Sequence, residues 1–414
     1  MMRKAHAAWS RSTERDDAIQ AWAWLAEPYD AAPATGALAG VGFGVKDVID
    51  VAGMPTRCGS PATSSDPARW DASCVAQLRA AGAVPIGKTV TAEFAYVSPG
   101  PTRNPHRASH TPGGSSSGSA AAVAAGMVDF ALGTQTGGSM IRPAAFCGVV
   151  GFKPTFGRVH RQGMTVLCDS LDTIGWFSRT VAQSQTVASV LLPQDAPRVA
   201  PTLAPLSVPT RAPLSVPTRA TRVAVLVCDG IGTLESASRQ ALEDEATRLR
   251  QQGATLFTPG YDANLKELLH LHSRIMHAEL ARAMLPVAHS PQADQLSPAL
   301  RDAVTLGLAI PYAEYVQCQQ TRDRLAREWL ERFADVDVIL TPSAPGPAPE
   351  GLQSTGSSVF NRVWSLLGWP ALHVPTGKTA SGLPVGVQWV ARPDQDHALL
   401  AWAADRQALP APAP

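Results

Sequence analysis

The sequence predicts a single large α/β domain spanning residues 1–414, and three observations carry that expectation. The chain is long enough to bury a large core and has an ordinary globular balance, 45% apolar and 17% charged. Segments with helical spacing alternate with short apolar, strand-like segments along the whole length, the pattern of the α/β class. One stretch alone interrupts the alternation, a proline-rich tract over residues 192–220.

In chain order, "AGVGFGVKDVIDVAG" (39–53) reads as a buried strand running into a loop, and "SCVAQLRAAGAVPIGKT" (73–89) as a helix, a glycine stop and a strand. A glycine- and serine-rich tract, "TPGGSSSGS", then opens an alanine-rich helix that leads through a strand to a second glycine loop, "GTQTGGSMIRPAAF" (133–146). Further strands are expected at 222–228, 336–342, 370–375 and 384–391, and long helices over 233–253, 261–286 and 311–335. The last of these has Tyr315, Leu325, Trp329 and Phe333 at helical spacing. The octapeptide "APLSVPTR" occurs twice in tandem at 204–219; eight residues are too few for a stacking repeat, so it reads as a duplicated piece of an exposed loop.

The totals exclude several classes of function. Net charge is +1 with no run of Lys or Arg, which argues against nucleic acid or an anionic membrane as a partner. The six cysteines are scattered, without C-x-x-C or zinc-like spacing, so free thiols in a reducing compartment are expected and no metal or other cofactor is called for. The first residues lack an apolar core of the kind a signal peptide needs, and no stretch has the roughly 20 apolar residues of a membrane span. The expected location is the cytoplasm. A small molecule is the expected partner, and a homodimer is left open.

"GAVPIGKT" (Gly82 to Thr89) matches the phosphate-loop pattern by letter. The context is wrong: a helix precedes Gly82, "AVPI" is strand-like, and Pro85 removes a backbone donor. Lys88 is therefore expected to pack structurally. The serines are a stronger candidate for chemistry. Ser115, Ser116 and Ser117 follow Gly113-Gly114, and Ser139 follows Gly137-Gly138. Their bland role is capping a helix and closing a turn. Yet a helix and a strand join the two tracts and would return the second beside the first, and glycines before Ser139 would let N–H groups converge as an oxyanion hole requires. A base for a serine could be a histidine, with His106 and His110 near the first tract. It could instead be Lys46 at the end of its strand: burial disfavours an ammonium, and a neutral lysine can take a proton from a hydroxyl. The bland role of Lys46 is pairing with Asp47 or Asp50.

Taken together, these segments resemble the amidase signature family of C–N hydrolases. "GGSSSGSAAAVAAGMVDFALGTQTGGSMIRPAAF" resembles its glycine- and serine-rich signature, within a core at about 39–180, and "LAGVGFGVKDVIDVAGMPTRCGS" its lysine segment. "GVVGFKPTFGRV", "SLDTIGWFSRTV", "DVILTPSAPGPAP" and "NRVWSLLGWPALHVPTGKTASGLPVGVQWVARP" are similar to later family segments. The resemblance implies a mixed, twisted central β-sheet covered on both faces by helices. It implies a Ser–cisSer–Lys triad of Ser139, Ser115 and Lys46, an oxyanion hole on the N–H groups of Thr136, Gly137, Gly138 and Ser139, and support from Thr134 and Ser116. It implies hydrolysis of a small amide through an acyl-enzyme, with no cofactor. Two departures stand out: Gln135 occupies the usual acidic position, and Arg142 lies one place later than usual. The arginine order is similar to malonamidases within the family, in which it holds a substrate carboxylate, but also to relatives acting on aryl amides and carbamates. Arg142 is thus a candidate carboxylate clamp or a structural ion pair. Trp364 and Trp369, with Leu366 and Leu367, are candidates for an apolar substrate pocket or for the core. An amidase subunit of a tRNA amidotransferase and an inactive binding homologue are the remaining readings.

Overall fold

A computed structural model describes residues 3–27, 35–192, 221–228, 230–259 and 264–408. The duplicated octapeptide and nearly all of the proline-rich tract lie outside these residues. Eleven strands form one sheet: β1 (Trp22–Leu25), β2 (Gly42–Lys46), β3 (Val84–Thr89), β4 (Phe130–Gln135), β5 (Val150–Lys153), β6 (Thr173–Ser178), β7 (Arg222–Val225), β8 (Thr255–Phe257), β9 (Val338–Pro342), β10 (Ala371–Lys378) and β11 (Pro384–Val390). Their order is β1-β3-β2-β4-β6-β5-β10-β11-β9-β7-β8. The sheet is mixed: β2 runs parallel to β3 and β4, whereas β4 and β6 are antiparallel.

The helices flanking it are α1 (Arg3–Ile19), α2 (Ser73–Ala80), α3 (Ser117–Ala124), α4 (Ile141–Cys147), α5 (Val181–Leu191), α6 (Ser236–Gln251), α7 (Asn264–Ala288), α8 (Pro298–Leu308), α9 (Tyr312–Arg332), α10 (Val359–Leu366) and α11 (Asp396–Ala408). Alternation along the central strands shows why both faces must be covered. Phe43, Val45, Phe130 and Leu132 enter one core cluster, while Ala131 and Phe177 join the alanines of α3 in another. The polar segment 3–19 gave no sequence signal for a helix. It is helical because Ala5 and Ala8 pack on this second face. All six cysteines are free and buried. No helix among the described residues is long and apolar enough to cross a membrane.

Three parallel strands, β2, β3 and β4, place their carboxyl ends together. Lys46 lies opposite Thr89, and Val45 opposite Leu132. Short connections then bring α3 and α4 to the same end. Lys88, the lysine of the false phosphate loop, points into the interior and bonds the Pro55 carbonyl at 3.0 Å, Thr56 Oγ1 at 2.8 Å and Asp47 Oδ1 at 3.0 Å. It ties the loop after β2 to β3. Removing one partner of a buried pair strands the other charge, so Lys88→Met is expected to cost about 3–5 kcal/mol in chemical denaturation. A loss below about 1 kcal/mol would show that Asp47 does not depend on it.

Candidate active site

Lys46 is fully buried, and its Nζ donates to Ser115 Oγ at 2.8 Å and to Thr134 Oγ1 at 2.7 Å. No carboxylate forms an ion pair with it among the described residues, because Asp47 is turned to Lys88. Burial lowers its pKa to about 7; Asp172 and Cys58 oppose that shift and Arg142 adds to it. The lysine is therefore poised to lose its proton near neutral pH.

The Gly114–Ser115 peptide is cis, at the position for which the family resemblance implies one. Ser116 does not cap α3. Its hydroxyl donates to the Thr134 carbonyl at 3.1 Å and accepts from the Thr134 N–H at 3.2 Å, binding the serine tract to β4. Gly133 makes this approach possible, since a Cβ there would lie 2.9 Å from Ser116 Oγ and 2.5 Å from Met140 Sδ. Ser139 directly precedes that methionine. Its hydroxyl hydrogen-bonds to no protein group among the described residues, and Ser139 keeps 7% exposure where Lys46 and Ser115 have none. The structure thus joins Lys46 to Ser115 and leaves the Ser139 hydroxyl without a protein partner among the described residues.

The loop carrying Ser139 is held from several directions. Gln135 Oε1 accepts from Met140 N at 2.9 Å and Ile141 N at 3.1 Å, meeting the free donors at the start of α4. A neutral amide can therefore stand where relatives have an acid, and its Nε2 donates to Ser365 Oγ at 3.0 Å. Ser365 in turn donates to the Gly137 carbonyl at 2.8 Å. Thr136 Oγ1 donates to Asp172 Oδ1 at 2.5 Å, and the other Asp172 oxygen accepts from Leu167 N and Cys168 N. His272 Nε2 donates to the Thr136 carbonyl at 3.0 Å. Burial pushes the His272 pKa down to about 4, so its imidazole is neutral, with Nδ1 unpartnered. With the carbonyls anchored, the N–H groups of Thr136, Gly137, Gly138 and Ser139 make no hydrogen bond among the described residues.

Two expected substrate contacts need correction. Trp364 and Trp369 are each 1% exposed, in an aromatic cluster where their rings lie 5.7 and 6.4 Å from Trp329. With buried Leu366 and Leu367 they fill the core, because α10 turns its apolar side inward. Arg142 is 6% exposed and neither pairs with a carboxylate among the described residues nor faces an open site with its terminal nitrogens. Nη1 donates to the Gly356 carbonyl at 2.7 Å, and Nη2 to the Gly114 carbonyl at 2.5 Å and to Thr355 Oγ1 at 3.1 Å. It is a strut between the cis-peptide loop and residues 355–356. The histidine alternative also fails to assemble: His106 bonds the Cys147 carbonyl and His110 bonds Ser109, neither touching a candidate serine.

Asp172, His272 and the polar side of α10 were missed in the sequence. In "SVFNRVWS" (358–365) the signal was present, since Ser358, Asn361, Arg362 and Ser365 follow i, i+3, i+4, i+7 spacing opposite Phe360 and Val363. A cavity of about 330 Å³ beside β7 and β8, lined by Val225, Arg239, Leu242 and Phe257 among others, lies toward the other edge of the sheet and holds no nucleophile–base pair.

The model of the family described as Amidase matches residues 7–400. A glutamyl-tRNA(Gln) amidotransferase subunit from Synechococcus sp. (strain RCC307) is 33% identical over 400 residues, covering 88% of this chain and 82% of that protein. The structure of the corresponding glutamyl-tRNA(Gln) amidotransferase subunit from Thermotoga maritima superposes with a TM-score of 0.83 at 29% identity, over 99% of this chain and 92% of that one. A 6-aminohexanoate cyclic dimer hydrolase complexed with substrate gives 0.84 at 27% identity, covering 98% of this chain and 92% of that one.

The two loop glycines make different demands. A Cβ on Gly138 would lie 2.5 Å from Asn361 Oδ1 and 2.6 Å from Ser358 Cβ, whereas one on Gly137 meets nothing within 3.6 Å. Gly138→Ala is expected to destabilise the fold by about 1–3 kcal/mol through overpacking, and Gly137→Ala to stay within about 0.5 kcal/mol of wild type. Urea denaturation of the pair checks this, and equal losses would contradict it.

Proposed function

The chain belongs to the amidase family, and from that premise we propose that it hydrolyses the C–N bond of a small amide through an acyl-enzyme on Ser139. The observation that carries the reading is a buried lysine with no ion-pair partner among the described residues, 2.8 Å from the hydroxyl of Ser115. In the proposed reaction neutral Lys46 takes the proton of Ser115 as Ser115 takes that of Ser139. The Ser139 oxygen attacks the amide carbonyl, and the free N–H groups of 136–139 receive the oxyanion. Such donors are worth about 3–4 kcal/mol each in comparable sites, so the loop contributes on the scale of the base itself. Collapse breaks the C–N bond while the relay returns a proton to the departing amine. Water then attacks the ester by the same route, releasing the acid and restoring Ser139. The Ser139–Ser115 hydrogen bond absent from the resting site is expected to close with substrate present, as catalytic contacts commonly do.

A second reading, favoured by the names of the curated relatives, makes the chain an amidotransferase subunit that hydrolyses amide only with partner subunits. Purified chain turning over simple amides alone supports the first reading; silence alone and activity on adding such partners supports the second. Among substrates, aryl amides, esters and carbamates lose their expected Trp364–Trp369 pocket, and malonamate loses its Arg142 clamp.

Ser139→Ala is expected to lower kcat by several orders of magnitude and to prevent labelling by a fluorophosphonate; a variant at wild-type rate would refute the nucleophile. The pH profile of kcat/KM should rise through about 7 as Lys46 loses its proton. Because Asp172 favours the charged lysine, Asp172→Asn should move that midpoint to lower pH. A flat profile from about pH 6 to 9 with chemistry rate-limiting, or a midpoint unmoved by Asp172→Asn, would remove Lys46 as the base.

A further inference from the structure

The geometry points to Arg362 as the residue that selects amides bearing a free carboxylate a few bonds from the scissile carbonyl, an inference that rests on Ser139 as the attacking group. Arg362 stands on α10, in the polar row that packs on the Ser139 loop. Its Nε donates to Ser358 Oγ at 3.0 Å, and the Ser358 Cβ lies 2.6 Å from where a Gly138 Cβ would stand. The guanidinium is thereby pinned one residue from Ser139 in the chain of contacts. Both of its terminal nitrogens are without an acceptor, and no ion pair involves it, among the described residues. The opening over Gly137 is bounded by His272 Cε1 and Ser358 Oγ, each 3.6 Å from a Cβ position there, and by Arg362 Cγ at 3.7 Å.

No carboxylate pairs with it among the described residues. Tyr96 feels the Arg362 charge, but burial raises its phenol pKa, so it remains neutral; its hydroxyl meets His277 Nε2 at 3.3 Å. His272 and His277 are both shifted toward the neutral form by burial. The only other arginine named at this site, Arg142, has its terminal nitrogens committed to the loops around Gly114 and Gly356. Neither terminal nitrogen of Arg362 is a buried unpartnered atom, so both can be reached from solvent by an anion. A carboxylate matches that fork with two parallel N–H···O bonds. The residue would fix the far end of the substrate while the 136–139 loop holds the carbonyl, which limits the class to short mono-amides of dicarboxylic acids and amides of comparable reach.

Binding to Ser139→Ala by calorimetry tests this apart from turnover. Malonamate, succinamate and glutaramate are each compared with the neutral amide of equal chain length. At least one carboxylated amide is expected to bind about tenfold or more tightly than its neutral counterpart, as a site built around a polar group discriminates. That advantage should vanish in Ser139→Ala/Arg362→Ala and largely survive in Ser139→Ala/Arg362→Lys, which keeps the charge and controls for folding. Equal or undetectable affinity throughout overturns the inference. So does an advantage that persists without Arg362 but falls with Arg142→Lys. Fluorophosphonate labelling of the wild-type protein reports on Ser139 separately, so a protein labelled there that shows no carboxylate preference loses this inference alone.

Discussion

The amine of Lys46 lies in the interior with two hydroxyls as its company and no carboxylate in ion-pair contact. A cation could occupy that place only at a large desolvation cost, so the fold favours the neutral form. The neighbouring strand shows the alternative outcome. Lys88 is equally buried but has Asp47 at 3.0 Å, together with a carbonyl and a threonine hydroxyl. Two lysines at the ends of adjacent strands thus differ in company: one has a carboxylate in contact and the other two hydroxyls. Asp172 opposes the effect of burial on Lys46, whose pKa falls to about 7.

Around that amine the chain arranges loops whose carbonyls and side chains are bonded outward while their N–H groups stay free. Gln135, Asp172, His272 and Ser365 each take one fastening of the 135–141 segment. Because the donors are fixed before any ligand arrives, no reorganisation is required when charge develops at an oxygen placed among them. Gln135 explains how the loop tolerates the loss of the usual acid: its role toward Met140 and Ile141 requires an acceptor oxygen, not a charge.

The element that overhangs the loop is α10, an amphipathic helix whose apolar side packs in the core and whose Ser358–Ser365 side faces the loop. Residues adjacent in sequence therefore separate between the core and the loop by their angle on one helix.

Much of this was legible in the one-dimensional pattern. The alternation of elements carried the α/β class, and the paired glycine–serine tracts with the strand ending in Lys46 carried the resemblance to the family and named the lysine and serine that the fold joins, because local propensities and loop chemistry are written in neighbouring residues. The helix at 3–19 was not legible, since its few alanines acquire meaning only against β2 and β3. Arg142 and the tryptophans stood open between the substrate and the frame of the fold, and their partners proved to be backbone carbonyls, a threonine hydroxyl and other aromatic rings. Asp172 and His272 join the loop from 36 and 136 residues away along the chain. The sequence by itself determined the class, the family and the chemically capable side chains. Tertiary structure alone decided which lysine has a carboxylate partner, which arginine is occupied and which side of α10 meets the loop, since burial and partnership depend on contacts between segments far apart in the chain.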